Sequence, residues 1–227
     1  MKLKYIPHTP RLRIVDHYIR VLFRDELSDN FKYHGPDHTL HPTKGVVASA
    51  NRIAISENIS EHDRELLITA AYFHDAGYII RYKKNEPIAA RMAGRILILI
   101  GYKPNEVAKI QKMILSTDLE NEPESHVEKI LCDADLDHFG REDFFKLDGR
   151  LREEWREKGM DVNDDARWYK DTLKLLKKHQ FYTESEKKLR EKGKRKNIKS
   201  LIKKLENVEK RYEVKNDPVF LFQQPQL

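Results

Sequence analysis

Residues 65–80 read ELLITAAYFHDAGYII and place a histidine and an aspartate at the end of a strongly apolar segment. The apolar residues recur at spacings of three and four, which predicts an amphipathic helix that ends near Gly77. His74 and Asp75 lie in these apolar surroundings, where an unpaired carboxylate would cost on the order of several kcal/mol. The pair therefore has two open interpretations: a half-buried polar pair at a helix end, or two metal ligands.

Two further stretches carry side chains that bind metals. FKYHGPDHTLH (31–41) contains three histidines, and CDADLDHFG (132–140) contains three alternating aspartates. The six residues are His34, His38, His41, Asp133, Asp135 and Asp137. Imidazole together with carboxylate suits Mn, Fe, Zn, Ni or Mg. Because alternating residues cannot share one helix face, at least one aspartate is expected to face solvent or to cap a helix.

The periodicity is helical along most of the chain, and no alternating run predicts a strand. Capping patterns mark helix starts at Thr9-Pro10, Ser60 and Ser125. We expect helices after Thr9, from Pro42, after Ser60, at about 86–100 and 105–115, after Ser125, and at about 141–158, 163–180 and 184–211. Gly193 is expected to interrupt the last of them. The predicted fold class is all-α.

The composition limits the broad class of protein. The chain has 227 residues, which is room for one large domain, and 39% of them are apolar, which is enough for a packed core. The longest apolar run, residues 96–100, is far shorter than the about 20 residues of a membrane span. The first ten residues lack the apolar stretch of a signal peptide. Cys132, the single cysteine, is expected to be a buried structural thiol, and we predict a cytoplasmic protein without a membrane partner.

The net charge of +6 comes from one end of the chain. Residues 187–215 hold 13 Lys or Arg and 4 Glu, whereas the remainder holds 30 basic and 33 acidic residues. The body of the protein is therefore not a basic nucleic-acid groove. A solvated helix face is the favoured interpretation of the C-terminal lysines, ahead of contact with RNA or other phosphates and ahead of an oligomerisation helix.

YHGPDHT (33–39), FHDAGY (73–78) and LCDADLD (131–137) together resemble the HD-domain superfamily of metal-dependent phosphohydrolases, in that family's ligand order. The first motif is most similar to the version shared with cyclic-nucleotide phosphodiesterases. DADLDHFGREDF, followed by HQFYT (179–183), also resembles a bacterial subgroup of these proteins. The resemblance implies an all-α HD-domain bundle at 31–182, with an N-terminal helix in 1–30 packed on it and a basic C-terminal helix and tail in 183–227.

The resemblance also implies residue roles. His38, His74, Asp75 and Asp135 would ligate a divalent metal ion, namely Mn, Fe, Mg, Ni or Zn, and Asp75 would bridge to a second ion if one binds. His34 matches the histidine that protonates the leaving oxygen, a task suited to imidazole near neutral pH. Asp135 is favoured over its two neighbours because it stands in the Ala-Asp-Leu context of the family's ligand.

Two departures from the family pattern leave alternatives open. Pro42 follows the His-Thr pair closely and disfavours helix at His41, so His41 is an alternative to His38 as ligand, with His38 preferred. Asn85 stands where many HD enzymes have a histidine for a second metal, which predicts one ion or a site completed by water. Glu86 either holds such a water or is a first-turn carboxylate favoured by the helix dipole.

Other prominent residues have simpler interpretations. His138 is expected to have a packing or surface role. Trp155 and Trp168 are expected to be core or cover residues on the far side of the motif rather than a stacking platform. Three cations are candidates to hold a further phosphate on grounds of position alone: Arg81, Lys83 and Lys84.

These features predict a metal-dependent phosphohydrolase. It would hydrolyse a phosphomonoester or phosphodiester, with a nucleotide as the expected class, by attack of metal-activated water. His34 and Asp75 are the expected catalytic residues. The alternative is a non-catalytic module that keeps the cleft, senses a nucleotide and docks RNA or a protein through its basic helix.

Overall fold

A computed structural model of the chain describes residues 9–215, with side chains up to residue 211. The described part contains ten α-helices, two short 3-10 turns and no strand, so the predicted all-α class is confirmed. The helices are α1 Pro10–Glu26, α2 Pro36–Leu40, α3 Val46–Ser56, α4 Glu61–Phe73, α5 Glu86–Leu99, α6 Pro104–Leu115, α7 His126–Asp135, α8 Phe144–Glu157, α9 Asp165–Lys178 and α10 Glu184–Lys215. Within this part, no helix is both long enough and apolar enough to cross a bilayer.

Helix α4 is the centre of the bundle. Every residue from Glu65 to Phe73 is buried, because α1, α3, α5, α6 and α7 pack around it. A helix that is apolar on all sides belongs in the interior, and the mainly apolar residues 66–73 fit that position. His74 and Asp75 follow directly, so the central helix delivers both side chains into the interior.

The first helix packs on this core through one apolar stripe. Leu12, Val15, Ile19 and Phe23 are buried at spacings of three and four. Thr9 caps the helix as predicted, since its side chain accepts from the Leu12 amide. The predicted division into 1–30, 31–182 and 183–227 remains a prediction, and its segments 1–8 and 216–227 lie outside the described residues.

The helix predicted to open at Pro42 was placed too early. Helix α3 begins at Val46, behind the N-cap Gly45, and residues 42–45 form turns. A short helix, α2, forms instead around His38, with Pro36 in its first turn, where the missing amide of proline costs no hydrogen bond. Pro36 therefore starts the helix that carries His38. The helix ends at Leu40, and His41, which precedes Pro42, is non-helical as predicted.

Two glycines serve close packing instead of ending helices. Gly77 lies in a 3-10 turn beyond α4, and a Cβ there would clash with the Asn85 carbonyl oxygen. The predicted interruption at Gly193 is wrong, because α10 is continuous and Gly193 packs directly on the backbone of Gly140. Only a residue without a Cβ permits this contact between backbones.

The alternating aspartates attach α10 to the bundle. Asp133 is buried and accepts from the amides of Tyr182 and Thr183 at 2.8 and 2.7 Å, ahead of α10. Asp137 is buried and pairs with Arg52 at 2.6 Å and Arg190 at 2.7 Å. Asp133 thus holds the two residues that precede α10, and the Thr183 hydroxyl, which accepts from the Glu186 amide at 3.3 Å, caps the helix itself.

Candidate metal centre

The ends of three helices bring four side chains to one point. His38 lies in α2, His74 and Asp75 follow the last residue of α4, and Asp135 is the last residue of α7. His38 Nε2 is 3.0 Å from Asp135 Oδ1 and 3.5 Å from Asp75 Oδ2. His74 Nε2 is 3.2 Å from Asp75 Oδ2 and 3.5 Å from Asp135 Oδ1. The four residues that the resemblance implied as ligands therefore face one another.

This cluster has the donor set of a divalent metal site. One ligand atom each from His38, His74 and Asp135 lies within 4.8 Å of the other two, so the three could hold an ion. The His74 Nδ1 contacts the Ala71 carbonyl oxygen at 2.8 Å, which assigns the proton to Nδ1 and leaves a lone pair on Nε2. His74 Nε2 and Asp75 Oδ2 are buried without a hydrogen-bond partner. An imidazole nitrogen among carboxylate oxygens is stabilised by positive charge at that point, which either a metal ion or a proton on Nε2 supplies.

The electrostatics of the cluster also favour a bound cation. Burial lowers the pKa of His74, but the charges of Asp75 and Asp135 outweigh it and raise that pKa well above 6.5. Burial raises the pKa of Asp135, and hydrogen bonds with His38 and His74 outweigh it and lower that pKa. The two carboxylates thus create a strong negative field around two buried imidazoles.

The other histidines of the motif lie outside the cluster. The Nδ1 of His41 accepts from the Thr43 amide at 3.3 Å, and His41 lies just after the end of α2. His138 is buried, and burial lowers its pKa to about 4, which keeps the ring neutral. Its ring packs against Tyr33, Phe139 and Phe144, in keeping with the expected packing role.

A buried glutamate that the sequence analysis missed holds His34. Glu154 accepts from the His34 ring Nδ1, from the amides of Tyr33 and His34 at 2.8 and 3.0 Å, and from the Tyr82 hydroxyl at 2.8 Å. Burial raises the pKa of Glu154, but the hydrogen bond with His34 outweighs it and lowers that pKa. Nothing in the local sequence distinguishes Glu154 from exposed Glu153, since both lie in a charge-rich helix.

The second nitrogen of His34 faces the interior of a large cavity. His34 Nε2 is 3.0 Å from the Tyr78 hydroxyl, and both residues line a cavity of about 720 Å³ that also reaches Asp75 and Asp135. Trp155 and Trp168 line the wall of this cavity. The prediction that they lie on the far side of the motif is therefore wrong. The long segment between α7 and α9 folds back over the cluster, a placement that helical periodicity does not reveal.

A smaller cavity of about 170 Å³ is also lined by His38, and it contains four cations beside three carboxylates, which are Asp37, Asp135 and Asp143. Its cations are Lys44, Arg141, Lys146 and Arg150. Lys44 and Arg141 pair with Asp143, whereas Lys146 and Arg150 form no ion pair within the described residues. The candidate cations chosen by sequence position lie elsewhere: Lys83 and Lys84 are exposed, and Arg81 donates to the Lys84 carbonyl.

Asn85 and Glu86 are not among the residues that could hold an ion, which are His38, His74 and Asp135. Asn85 is buried, and its side chain donates to Glu86 Oε1 at 3.1 Å. Glu86 lines the large cavity with its Oε2 buried and without a hydrogen-bond partner. Burial, reinforced by the charges of Asp118, Asp75 and Asp135, raises the pKa of Glu86.

The comparisons with known proteins agree with this geometry. Residues 39–140 match the family model of the HD domain. This segment of the chain is therefore similar to the HD domain. The matched segment covers somewhat less than half of the chain and includes His74, Asp75 and Asp135, while His34 and His38 lie just before it. No curated protein and no solved structure gave a significant match.

The similarity to the HD domain agrees with the order of the motifs along the chain. HD domains are in general metal-dependent hydrolases that bind divalent cations, and the cluster His38, His74 and Asp135 could serve such an ion. The match is to the domain family as a whole, so the phosphodiesterase-like subgroup remains a prediction. Substrate, metal identity and the ligand role of each residue are proposals.

Proposed function

We propose that this protein is a metal-dependent phosphohydrolase that cleaves a phosphomonoester or phosphodiester of a nucleotide. The observation that carries the proposal is the convergence of His38, His74, Asp75 and Asp135, with the buried His74 Nε2 and Asp75 Oδ2 only 3.2 Å apart and without a hydrogen bond. An ion held by these four residues would polarise a water molecule and a phosphate oxygen. All other parts of the reaction fall to side chains of the chain itself.

The small cavity supplies the cations for the phosphate. Lys146 and Arg150 have no acidic partner in the described part of the chain, and they line a space that His38 and Asp135 also line. Guanidinium and ammonium groups hold phosphate oxygens through charge-assisted hydrogen bonds. The non-bridging oxygens of the ester would therefore face this side.

The leaving oxygen belongs on the opposite side, beside His34. The buried Glu154 holds a proton on His34 Nδ1, which leaves Nε2 as the nitrogen that passes a proton to the leaving oxygen. Tyr78 contacts this nitrogen at 3.0 Å and keeps the ring directed into the large cavity. Glu154 is thus a positioning residue, and His34 is the catalytic acid of the proposal.

The test combines turnover with metal analysis. The purified protein is assayed on nucleotides and generic phosphate esters with Mn²⁺, Mg²⁺, Co²⁺ or Zn²⁺ added, and the bound metal is measured by mass spectrometry. We expect metal-dependent release of phosphate or of a nucleotide monoester. Asp75→Asn should lose both turnover and metal, and the exposed Asp29→Asn should lose neither.

Two results would contradict the proposal. If Asp75→Asn binds as much metal as wild type, the metal site does not lie at this cluster. Nucleotides that shift the thermal unfolding of wild type without any product would favour the alternative, a non-catalytic sensing module.

A further inference from the structure

The large cavity has an apolar wall beyond the metal cluster. From His34, Asp75 and Asp135 it extends between α8 and α9, over a volume of about 720 Å³. The apolar lining includes Leu136, Phe139, Phe144, Trp155, Trp168 and Leu176. At the inner end, Asp75 is 7% exposed and directs an unpartnered Oδ2 toward the cluster. A space of this size with aromatic walls fits an organic group and not a phosphate alone.

The charged residues that line the same cavity are almost all acidic, and several of them are exposed at its mouth. Besides the cluster and Glu86, the carboxylates that line it are Asp118, Glu120, Asp148, Asp161, Asp164 and Asp171. Arg167 is the one Lys or Arg among the described lining residues; it lies 4.0 Å from Asp171 with a side chain that is 69% exposed. Within the described residues, no buried Lys or Arg is among those that line the cavity, and Arg152, which lies 5.6 Å from the Trp168 ring, pairs with Asp165.

Three of these carboxylates accept hydrogen bonds from uncharged donors. Asp148 accepts from the Trp168 indole at 3.0 Å and from the Thr172 hydroxyl. Asp118 accepts from the Glu120 amide at 3.0 Å, and Asp161 accepts from the Asn163 amide at 3.4 Å. Such donors do not neutralise a carboxylate, although burial raises the pKa of Asp148. In a concave site with apolar walls, charges of one sign produce a focused potential that repels like charges.

The small cavity holds cations beside His38, whereas the large cavity is lined mainly by carboxylates and apolar groups. From this difference between the two cavities we infer that the enzyme takes esters whose organic group is aromatic or apolar and carries no negative charge of its own. The inference rests on the proposed function, and it adds the class of substrate. The phosphate faces the cationic side of His38, and the organic group lies beyond His34 in the large cavity. Nucleoside monophosphates then fit, whereas nucleosides with a second phosphate at the far end of the molecule are repelled.

A binding experiment without metal or phosphate tests the charge selection directly. Trp155 and Trp168 are the two tryptophans of the chain, and both line the cavity, so their fluorescence reports its occupancy. The probes are 4-ethylphenol, tyramine and 3-(4-hydroxyphenyl)propanoate, which are neutral, cationic and anionic forms of one shape. We expect the anion to bind roughly tenfold more weakly than the other two, or worse.

Variants assign the difference to the cavity. Asp118→Asn combined with Asp161→Asn keeps the amide hydrogen bonds and removes two charges, so the gap between tyramine and the propanoate should shrink severalfold. The matched control is Glu26→Gln combined with Asp29→Asn, two exposed residues outside the cavity, which should leave the gap unchanged. Equal or tighter binding of the propanoate to wild type would overturn the inference.

Turnover of the corresponding aryl phosphates with Mn²⁺ separates this inference from the proposed function. If no ester is hydrolysed while the phenols bind in the expected order, the hydrolase proposal fails and the charge selection stands. If all three esters are hydrolysed with equal kcat/KM, the hydrolase proposal stands and the charge selection is wrong.

Discussion

Glu154 shows how much one buried side chain can determine at a site. It has no exposed surface and accepts hydrogen bonds from two backbone amides, an imidazole and a phenol. These contacts fix the start of the segment that carries His34 and, a little further along, His38. A carboxylate that organises a neighbouring histidine is commonly worth a factor of ten or more in activity.

We expect Glu154→Gln to lower kcat by roughly 10–100-fold while the bound metal is retained. The amide cannot accept all four donors, so the free energy of unfolding should also fall by about 1–3 kcal/mol. Steady-state kinetics, metal analysis and urea unfolding measure these effects. The exposed neighbour Glu153→Gln is the control, and a Glu154→Gln variant with wild-type kcat would show that His34 needs no positioning.

His179 makes stability depend on pH. Burial, reinforced by the charge of Lys194, lowers its pKa to about 3, and the Lys194 ammonium donates to the His179 carbonyl oxygen at 2.6 Å. Below pH 6.5 the unfolded chain binds a proton at this residue and the folded chain does not. The free energy of unfolding therefore falls as the pH drops from about 6.5 toward 3.

Replacing His179 should remove this part of the acid sensitivity. Between pH 7 and pH 4.5, wild type should lose on the order of 1–2 kcal/mol more than His179→Gln, as measured by urea unfolding across that range. His17→Gln removes an exposed histidine and should follow the wild-type curve. Parallel curves for wild type and His179→Gln would contradict the assignment.

At the scale of elements, two glycines and two aspartates determine how α10 packs on the bundle. Gly193 and Gly140 allow direct contact between two backbones. Asp133 accepts hydrogen bonds from the amides just before α10, and Asp137 forms ion pairs with Arg52 and Arg190. Each of the four lies close to Asp135 in sequence or on α10 itself. The helix therefore supports the end of α7, where the cluster begins.

Gly193→Ala should destabilise the fold, because the added Cβ meets the Gly140 carbonyl and neither backbone can move without the other. We expect a loss of about 1–3 kcal/mol, measured by thermal or urea unfolding. Gly149→Ala is the matched control: this glycine lies inside α8 with open space around it, so alanine should stabilise by about 0.5–1 kcal/mol. A neutral Gly193→Ala would mean that α10 is not held at this crossing.

At the scale of the whole molecule, the cluster joins three helices that are distant in sequence. Ligand atoms from α2, the end of α4 and the end of α7 meet within 4.8 Å, so an ion bound there links the bundle across its centre. Any ligand that binds only the folded state stabilises it by mass action. Metal binding should thus be visible as global stability.

Saturating Mn²⁺ at about 100 times its dissociation constant should add about 2.7 kcal/mol, which is roughly 5–10 °C in Tm for a chain of this size. EDTA should reverse the shift. His38→Ala should abolish it and His41→Ala should retain it, which decides between the two histidines by differential scanning fluorimetry. If only His41→Ala abolishes the Mn²⁺-induced rise in Tm, then His41 and not His38 is the metal ligand.

Local chemistry determined much of this protein. The spacing of apolar residues predicted the all-α class and most helix positions, because helix periodicity and capping are properties of short segments. The order of the motifs along the chain singled out His38, His74, Asp75 and Asp135 through its resemblance to a family. For the backbone, the local sequence was misleading around Pro42, Gly77 and Gly193, where packing between distant segments sets the conformation.

Only the tertiary structure decided the surroundings of the cluster. In sequence, Glu154, Lys146 and Arg150 are ordinary charges of a surface helix, and Trp155 and Trp168 are cover residues; α8 and α9 bring them to the site by folding over it. The contact between His34 and Glu154 joins residues that are 120 positions apart. Since periodicity reports only which face of a helix is apolar, it cannot say which distant helix that face or its polar neighbours will meet.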